Sequence, residues 1–324
     1  ACGAAGATVP FAVSYASIRA AGLPFDLVFR VANAGLLASR DSRTGLLIVV
    51  TQSIVNGVGD VLVCPSLGIA GAALTTVAAQ CVGCLVALGT LWRRGLLTGF
   101  QMPALSDAIS FFVFALPVCL TLALKVATVQ FLNIAGSSRG MVAAAAHQVT
   151  KSVFWVFSLL CSDPLSSTAQ AFLPGPLGRG DLRAAGRTLR QLLVLGTCGA
   201  LLTTGALGLV IASGGLTLFT HDPKILAAIP VPSLCLCVLL MPFTFCLEGS
   251  HIAAQRQRWL SQCLLVLTSL AAVVFRWGSG GEGNIAGLWN AFSLYILGRA
   301  AWYAWGIWGP GGVLRKQAGQ PATS

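Results

Sequence analysis

The sequence predicts an all-α, polytopic integral membrane protein. Hydrophobic residues occupy 56% of its 324 positions and charged residues only 9%, which is too little polar surface for a water-soluble globule of this size. Apolar windows of about 17–25 residues recur along the whole chain, and a helix of that length crosses the hydrocarbon of a bilayer. Connectors containing Gly, Pro, Ser or Arg separate these windows.

About nine transmembrane helices are expected from the windows. Residues 1–18 are typical of the end of an earlier helix. Residues 174–190 place arginines at helical spacing after a Pro- and Gly-rich turn, which predicts a short basic helix lying on the membrane surface. The predicted transmembrane helices span 23–39, 44–65, 69–92, 107–132, 142–162, 191–213, 226–247, 259–276 and 285–308.

The formal net charge of +11 comes from basic residues whose distribution between the connectors predicts the orientation of the chain in membrane lipid. No nucleic-acid partner is expected, because the basic residues are spread singly between apolar windows and form no patch with interleaved aromatics. Alternate connectors differ strongly in basic residues. One side carries Arg40, Arg43, Arg93, Arg94, Arg179, Arg183, Arg187, Arg190, Arg256, Arg258, Arg315 and Lys316; the other carries Arg19, Arg139, Lys224 and Arg276.

The sequence shows few signs of enzyme chemistry. Cys81 and Cys84 form a CxxC pair inside an apolar window, without the second pair or nearby His that a metal site requires. There is no HExxH, no P-loop and no paired carboxylate motif, so no catalytic residue, metal or organic cofactor is expected. An integral-membrane transferase, which also has many helices and buried histidines, is the alternative class.

A duplication relates two parts of the chain. Ile69-Ala70-Gly71 recurs as Ile285-Ala286-Gly287, and Pro24-Phe25 recurs as Pro242-Phe243, at nearly the same offset of 216 to 218 residues. Two helical halves related by duplication explain such matches, as in many transporters. If the second half begins near Asp107, the first half begins upstream of residue 1, and three helices are expected there.

Several segments together resemble the multidrug and toxic compound extrusion (MATE) family of transporters. They are AAAHQV and DPLSSTAQAFLP within Met141 to Pro174, NGVGDVLVCPSLGIAGAALTTVAAQ from Asn56 to Gln80, LFTHDP from Leu218 to Pro223, and LEGSHIAAQRQRWLS from Leu247 to Ser261. The set is most similar to a plant and algal branch with plastid-envelope members that export salicylate-type carboxylates.

The resemblance implies a two-lobe antiporter of twelve helices that exports small organic solutes in exchange for H⁺ or Na⁺. Residues 1–100 are then the C-terminal part of the N-lobe, from the end of helix 3 to helix 6. Residues 101–310 are the C-lobe, with helices 7–12, and residues 311–324 are a tail on the cytoplasmic side. Two departures stand out. The acidic residue of the first helix that carries ion coupling in several MATE branches has no counterpart here, and Ala254-Gln255-Arg256-Gln257 replaces a Gly-basic-acidic pattern. An inactive transporter remnant is therefore a further alternative.

Substrate contacts are expected on two predicted helices. A charge at bilayer depth costs about 2.5–3.5 kcal/mol on insertion scales, so each one requires a reason. Lys125 lies on a stripe with Thr121 and Thr128, and the resemblance implies a matching Lys in the plastid branch. Arg299 lies between Tyr295 and Tyr303 at a spacing of four, where it predicts a carboxylate-binding face or, alternatively, an interfacial anchor.

Five other residues are candidates for substrate binding, ion coupling or gating. His147 and Lys151 share one helical face, which predicts either a proton-sensing pair in the substrate pathway or simple helix packing. Glu248, at the end of an apolar window, is the repeat partner of Arg30, so the two charges could pair in one transport state. Asp163 precedes Pro164 at a predicted helix boundary, as a gate or turn residue.

These charges together predict a preference for organic anions. Arg30, Lys125, Lys151 and Arg299 fall within predicted helices, whereas Glu248 and Asp60 fall near helix ends. A surplus of cations at membrane depth gives a cavity a positive potential that concentrates carboxylates.

Overall fold

The computed structural model describes residues 9–38, 42–97, 102, 104–278 and 283–315. Helices dominate these residues, and no strand occurs among them, so the predicted all-α class is confirmed. The chain separates into two compact units, Ala1–Met102 and Pro103–Ser324. Their assignment to the lobes of a transporter stays a prediction.

The first unit pairs two long helices, α1 (Val9–Ala38) and α2 (Ser42–Arg93). The prediction of separate helices in 1–18 and 23–39 is wrong within the described residues, because α1 continues through Pro24. Residues 1–8 lie outside the described part. Membrane helices tolerate an internal proline where neighbouring groups satisfy the freed carbonyl.

The backbone of α2 turns at Gly68, which has φ 55° and ψ −130°. Only glycine adopts such a conformation without strain, and Pro65 just before it weakens the helix further. The two arms correspond to the predicted helices 44–65 and 69–92. Asp60 links them, because it accepts a hydrogen bond from the Thr75 hydroxyl across the turn.

The described residues of the second unit form eight helices, and α8 lies at their centre. Helix α8 packs most extensively against α4, and then against α10 and α6, while α3 packs against α9. A 3₁₀ turn (Gly215–Leu218) and a π turn (Val274–Gly278) complete the unit. The helices are α3 (Leu105–Ser137), α4 (Met141–Phe172), α5 (Pro174–Gly178), α6 (Leu182–Ala212), α7 (Pro223–Ala228), α8 (Val231–Ala253), α9 (Gln257–Val273) and α10 (Ile285–Trp308).

Three helices of this unit begin at side-chain caps. Asp181 accepts a hydrogen bond from the Ala184 amide at 2.9 Å, and Asn284 accepts one from the Gly287 amide at 2.8 Å. Asp222 caps α7 in the same way. Such caps satisfy amides that have no partner within the helix, so these polar residues define where the apolar helices start.

Three sequence-based boundaries in this unit are wrong. Helix α4 does not end at Asp163-Pro164 but continues for two more turns to Phe172. The basic stretch after Gly180 is not a separate surface helix, because Arg183, Arg187 and Arg190 form the first turns of the long helix α6. Helix α8 extends past Glu248 to Ala253, so this carboxylate lies inside the helix.

The chain is an integral membrane protein. Five helices of the described residues are long and apolar enough to cross a membrane, starting from Arg43, Leu105, Leu182, Val231 and Gln257. Many large apolar side chains on their surfaces are exposed, as lipid-facing positions require. The orientation predicted from basic residues stays a prediction, and two of its residues, Arg40 and Lys316, lie outside the described part.

Candidate functional site

A buried carboxylate on α8 binds two cations from neighbouring helices. Glu248 is 3% exposed. Its Oε1 accepts a hydrogen bond from Lys125 Nζ of α3 at 2.6 Å, and its Oε2 accepts one from Arg299 Nη2 of α10 at 2.6 Å. Both distances are typical of charge-assisted bonds, which are about twice as strong as neutral ones. These three residues form the ion-pair cluster.

Arg299 lies inside the unit and not at its surface. The residue is 4% exposed, and its guanidinium carbon lies 5.6 Å from the ring centres of both Tyr295 and Tyr303. The predicted spacing of four residues therefore places the cation between two aromatic rings. This geometry excludes the alternative role of interfacial anchor for Arg299, whereas Trp305 and Trp308 on the same helix are exposed.

A cavity of about 310 Å³ lies beside the ion-pair cluster. Both cations of the cluster line it, and its other walls are mostly aromatic and aliphatic. A planar apolar molecule with one carboxylate would find both a stacking surface and a cationic end here. The lining residues are Leu122, Lys125, Val126, Thr128, Val129, Gln130, Trp155, Met241, Phe245, Phe292, Tyr295 and Arg299.

Asp163 is a second acidic residue of this region. Its carboxyl group interacts electrostatically with both Lys125 and Glu248. The surroundings of the cavity thus contain two cations and two carboxyl groups. Glu248 lies inside α8, and not near its end as predicted, and it pairs with both Lys125 and Arg299. The surplus of cations at this site is therefore smaller than predicted.

His147 and Lys151 belong to a separate group, the His147 cluster, together with Asn133 and Trp289. Trp289 Nε1 donates a hydrogen bond to His147 Nδ1 at 3.3 Å. Because an indole N–H can only donate, Nδ1 carries no proton, and Nε2 donates to Asn133 Oδ1 at 3.3 Å. The same oxygen accepts a bond from Lys151 Nζ at 3.1 Å.

The hydrogen bonds of the His147 cluster fix a neutral imidazole. The ring is 2% exposed, and Gly136 of α3 packs directly against it. Neither His147 nor Lys151 lines the cavity beside Glu248. Their geometry supports helix packing more than direct contact with a ligand in that cavity.

Arg30 and Glu248 are predicted to pair in one transport state. In this structure each residue has another partner. Arg30 Nε lies 2.7 Å from Asp26 Oδ2 one turn earlier in α1, and the arginine side chain is 71% exposed. Glu248 is occupied by Lys125 and Arg299. A state-dependent Arg30–Glu248 pair stays a prediction.

The sequence pattern did not predict the ion pairs of Glu248 with Lys125 and Arg299. Lys125, Glu248 and Arg299 are separated by 123 and 51 residues, so no helical periodicity connects them. Thr128 was recognised as part of the Lys125 stripe, but its hydrogen bonds to the hydroxyls of Thr268 at 2.9 Å and Tyr295 at 3.3 Å were not. The signal available was an isolated acidic residue in an apolar helix, which requires a cationic partner.

Two curated plant proteins are similar in sequence to this chain. No family model matches the chain. It is 28% identical over 324 residues to Protein DETOXIFICATION 47, chloroplastic, of Arabidopsis thaliana, covering 97% of this chain and 59% of that protein. It is 29% identical over 297 residues to Protein DETOXIFICATION 43 of the same plant, covering 88% and 54%. The chain thus spans somewhat more than half the length of these relatives.

Solved structures give the fold. An outward-facing multidrug resistance MATE transporter superposes with a TM-score of 0.78 at 18% identity, covering 94% of this chain and 70% of that one. A MOP-superfamily transporter from Pyrococcus furiosus gives 0.77 at 18% identity, covering 93% and 70%. The resemblance to the MATE family is confirmed. A MATE complex with MaL6 gives 0.74, again at 18% identity and with coverage of 94% and 70%.

The solved structures with this fold are named as MATE proteins, and the curated relatives are named as DETOXIFICATION proteins. These names support the prediction that the chain is not an enzyme, and none of them favours the membrane transferase alternative. Among the described residues no group of three or more His, Cys, Asp or Glu could hold a metal ion.

Proposed function

We propose that this chain acts in a secondary antiporter that exports organic solutes across a membrane in exchange for H⁺ or Na⁺. The MATE-type fold and the apolar helices support this function. The name of the chloroplastic relative supports the plastid envelope as its membrane. Exchange transport also requires charged groups that can change partners within the bilayer, and the ion-pair cluster supplies such groups.

The proposed substrates are small organic carboxylates, aromatic ones above all. The single observation that carries this proposal is the cavity in which Lys125 and Arg299 meet aromatic walls. The planar guanidinium of Arg299 suits a carboxylate, and Trp155, Phe245 and Phe292 provide surfaces for a ring. A cavity of about 310 Å³ lies at the small end of the range for ligand pockets, which fits a molecule with one ring.

Binding to the detergent-solubilised chain tests the substrate class. Salicylate should bind better than citrate, and both better than a quaternary ammonium dye, in equilibrium dialysis across a range of pH. Lys125→Ala and Arg299→Ala should each weaken salicylate binding by about tenfold or more, because each removes a charge-assisted hydrogen bond. Arg299→Lys should lose more selectivity for carboxylates than Lys125→Arg, since only arginine offers a planar fork.

The matched control is Arg258→Ala, which removes an exposed arginine at the start of α9 and should leave binding unchanged. Tighter binding of the dye than of salicylate, unaffected by either cavity variant, would refute the carboxylate proposal. Absence of binding for every probe at every pH would instead favour the inactive-remnant interpretation.

A further inference from the structure

Both cations of the ion-pair cluster are already bonded to Glu248. Each oxygen of Glu248 already binds one cation at 2.6 Å. Arg299 is almost fully buried between two tyrosine rings, whereas the Lys125 side chain retains 27% exposure toward the cavity. A carboxylate that enters the cavity can approach Lys125, but to take the bond of Arg299 Nη2 it must displace Glu248.

The charge balance opposes binding of a further anion. With Glu248 and Asp163 both ionised, the two carboxylates offset the two cations. An incoming carboxylate would add an uncompensated negative charge in a region of low dielectric, which is costly. If one of the two acids accepts a proton, the region regains one positive charge and can take an anion without such a cost.

We propose that Glu248 is a displaceable internal carboxylate: a substrate carboxylate takes its place on Lys125 and Arg299 when Glu248 accepts a proton. This inference rests on the carboxylate specificity proposed above and adds the ion that accompanies binding. The total charge of the cluster is the same before and after, because one anion and one proton enter together. The proton is thus taken up at this site together with the carboxylate.

Glu248 is the better proton acceptor by position, although other ionisable groups face it. Lys125 comes from α3, Asp163 from α4, and Tyr295, Arg299 and Tyr303 from α10. His251 lies on the same helix, and its Nε2 contacts the Tyr303 carbonyl oxygen at 2.9 Å. Helices α6 and α9 also pack against α8, but their arginines, Arg183, Arg187, Arg190 and Arg258, are exposed.

The carboxyl group that accepts the proton must be the one bonded to both cations, because only its protonation releases both of them. Only Glu248 meets that condition among the described residues. Protonating Asp163 would change the charge balance but would leave Arg299 occupied. Protonating Glu248 removes its attraction for both cations at once and converts one of its oxygens from an acceptor into a donor.

Proton counting during salicylate binding tests the inference on the full chain. Calorimetric titrations in two buffers that differ in ionisation enthalpy give the number of protons taken up per bound ligand. We expect about one proton per salicylate in the wild type, and an apparent Kd that rises about tenfold per pH unit where Glu248 is ionised. Glu248→Gln, which mimics the protonated acid, should bind salicylate with a pH-independent Kd and no proton uptake.

Two further variants assign the proton. Asp107→Asn removes a carboxylate from the first turn of α3, away from the ion-pair cluster, and should behave as the wild type. Asp163→Asn should still take up about one proton. Loss of proton uptake in Asp163→Asn but not in Glu248→Gln would overturn the inference.

The wild-type measurement is decisive even if a variant fails to fold. Binding of salicylate with no proton uptake and a pH-independent Kd would overturn the displaceable carboxylate and leave the proposed carboxylate specificity intact. Absence of binding for any carboxylate, in the wild type and in Glu248→Gln at every pH, would overturn both proposals. These outcomes distinguish failure of the mechanism from failure of the function.

Discussion

The ion-pair cluster and the His147 cluster share helices α3 and α10 but differ in their chemistry. Glu248 of α8 completes the first cluster, and His147 and Lys151 of α4 complete the second. The first joins full charges, with Glu248 between Lys125 and Arg299. The second joins neutral groups in a chain from Trp289 through His147 to Asn133, with Lys151 at its edge. A charged cluster can change partners when one proton arrives, whereas a neutral chain of donors and acceptors holds one arrangement.

Breaking the ion-pair cluster should have the largest effect on stability. Glu248→Ala leaves the buried Arg299 without its counter-charge, and removal of one partner from such a pair costs about 3–5 kcal/mol. Denaturant titration in detergent should show this loss in the free energy of unfolding. The double variant Glu248→Ala/Arg299→Met removes the stranded charge and should recover more than half of the loss. A double variant as unstable as Glu248→Ala would contradict this account.

Close helix approaches next to the two clusters should differ in their tolerance of a methyl group. A Cβ at Gly249 would lie 2.5 Å from the Ser166 carbonyl oxygen and 2.8 Å from Ser166 Cα, so Gly249→Ala must move backbone. The atoms nearest to a Cβ at Gly136 would belong to the His147 side chain, at 2.5 Å. We expect losses of about 1–3 kcal/mol, larger for Gly249→Ala than for Gly136→Ala.

The matched control for both glycines is Gly208→Ala in α6, where a Cβ meets nothing within 4 Å. Helix propensity predicts an effect between neutral and about 1 kcal/mol of stabilisation. Thermal unfolding of the three variants side by side measures the order. Equal losses at Gly136 and Gly208 would show that packing against His147 contributes nothing to stability.

The smallest effect is expected from the hydroxyl of Thr128. It bonds to Thr268 and Tyr295, so Thr128→Val should cost about 1 kcal/mol and lower salicylate affinity a few-fold through the displaced Tyr295 ring. Thr197→Val is the control, because the Thr197 hydroxyl donates only to the Leu193 carbonyl of its own helix. A larger loss of stability in Thr197→Val than in Thr128→Val would show that the Thr128 hydroxyl does not stabilise the cavity.

Local patterns in the sequence predicted the helices and half of the site. The nine apolar windows correspond to arms of observed helices within the described residues, because burial in lipid requires little more than length and apolarity. The spacing of four residues correctly placed Arg299 between two tyrosines. The contacts of Glu248 could not be predicted, because they depend on which helices become neighbours.

Two errors share one physical origin. Asp163-Pro164 was taken as the end of a helix, and Glu248 as a residue near an end, because proline and charge mark boundaries in water-soluble proteins. Inside a bundle of apolar helices, neighbouring side chains can satisfy such residues, so the helix continues past them. Polar residues in these windows indicate contacts and not ends.

Pro164 also gives α4 a mechanical property. A proline inside a helix removes the hydrogen bond to the carbonyl four residues earlier, here that of Leu160, and lowers the cost of bending at that turn. His147 and Lys151 precede this point, and Asp163 lies directly at it. Helix α4 thus consists of two regular helical segments that meet at a turn which bends more easily than they do. The energy needed to bend α4 at Pro164 therefore limits how far Asp163 can move while His147 remains hydrogen-bonded to Trp289.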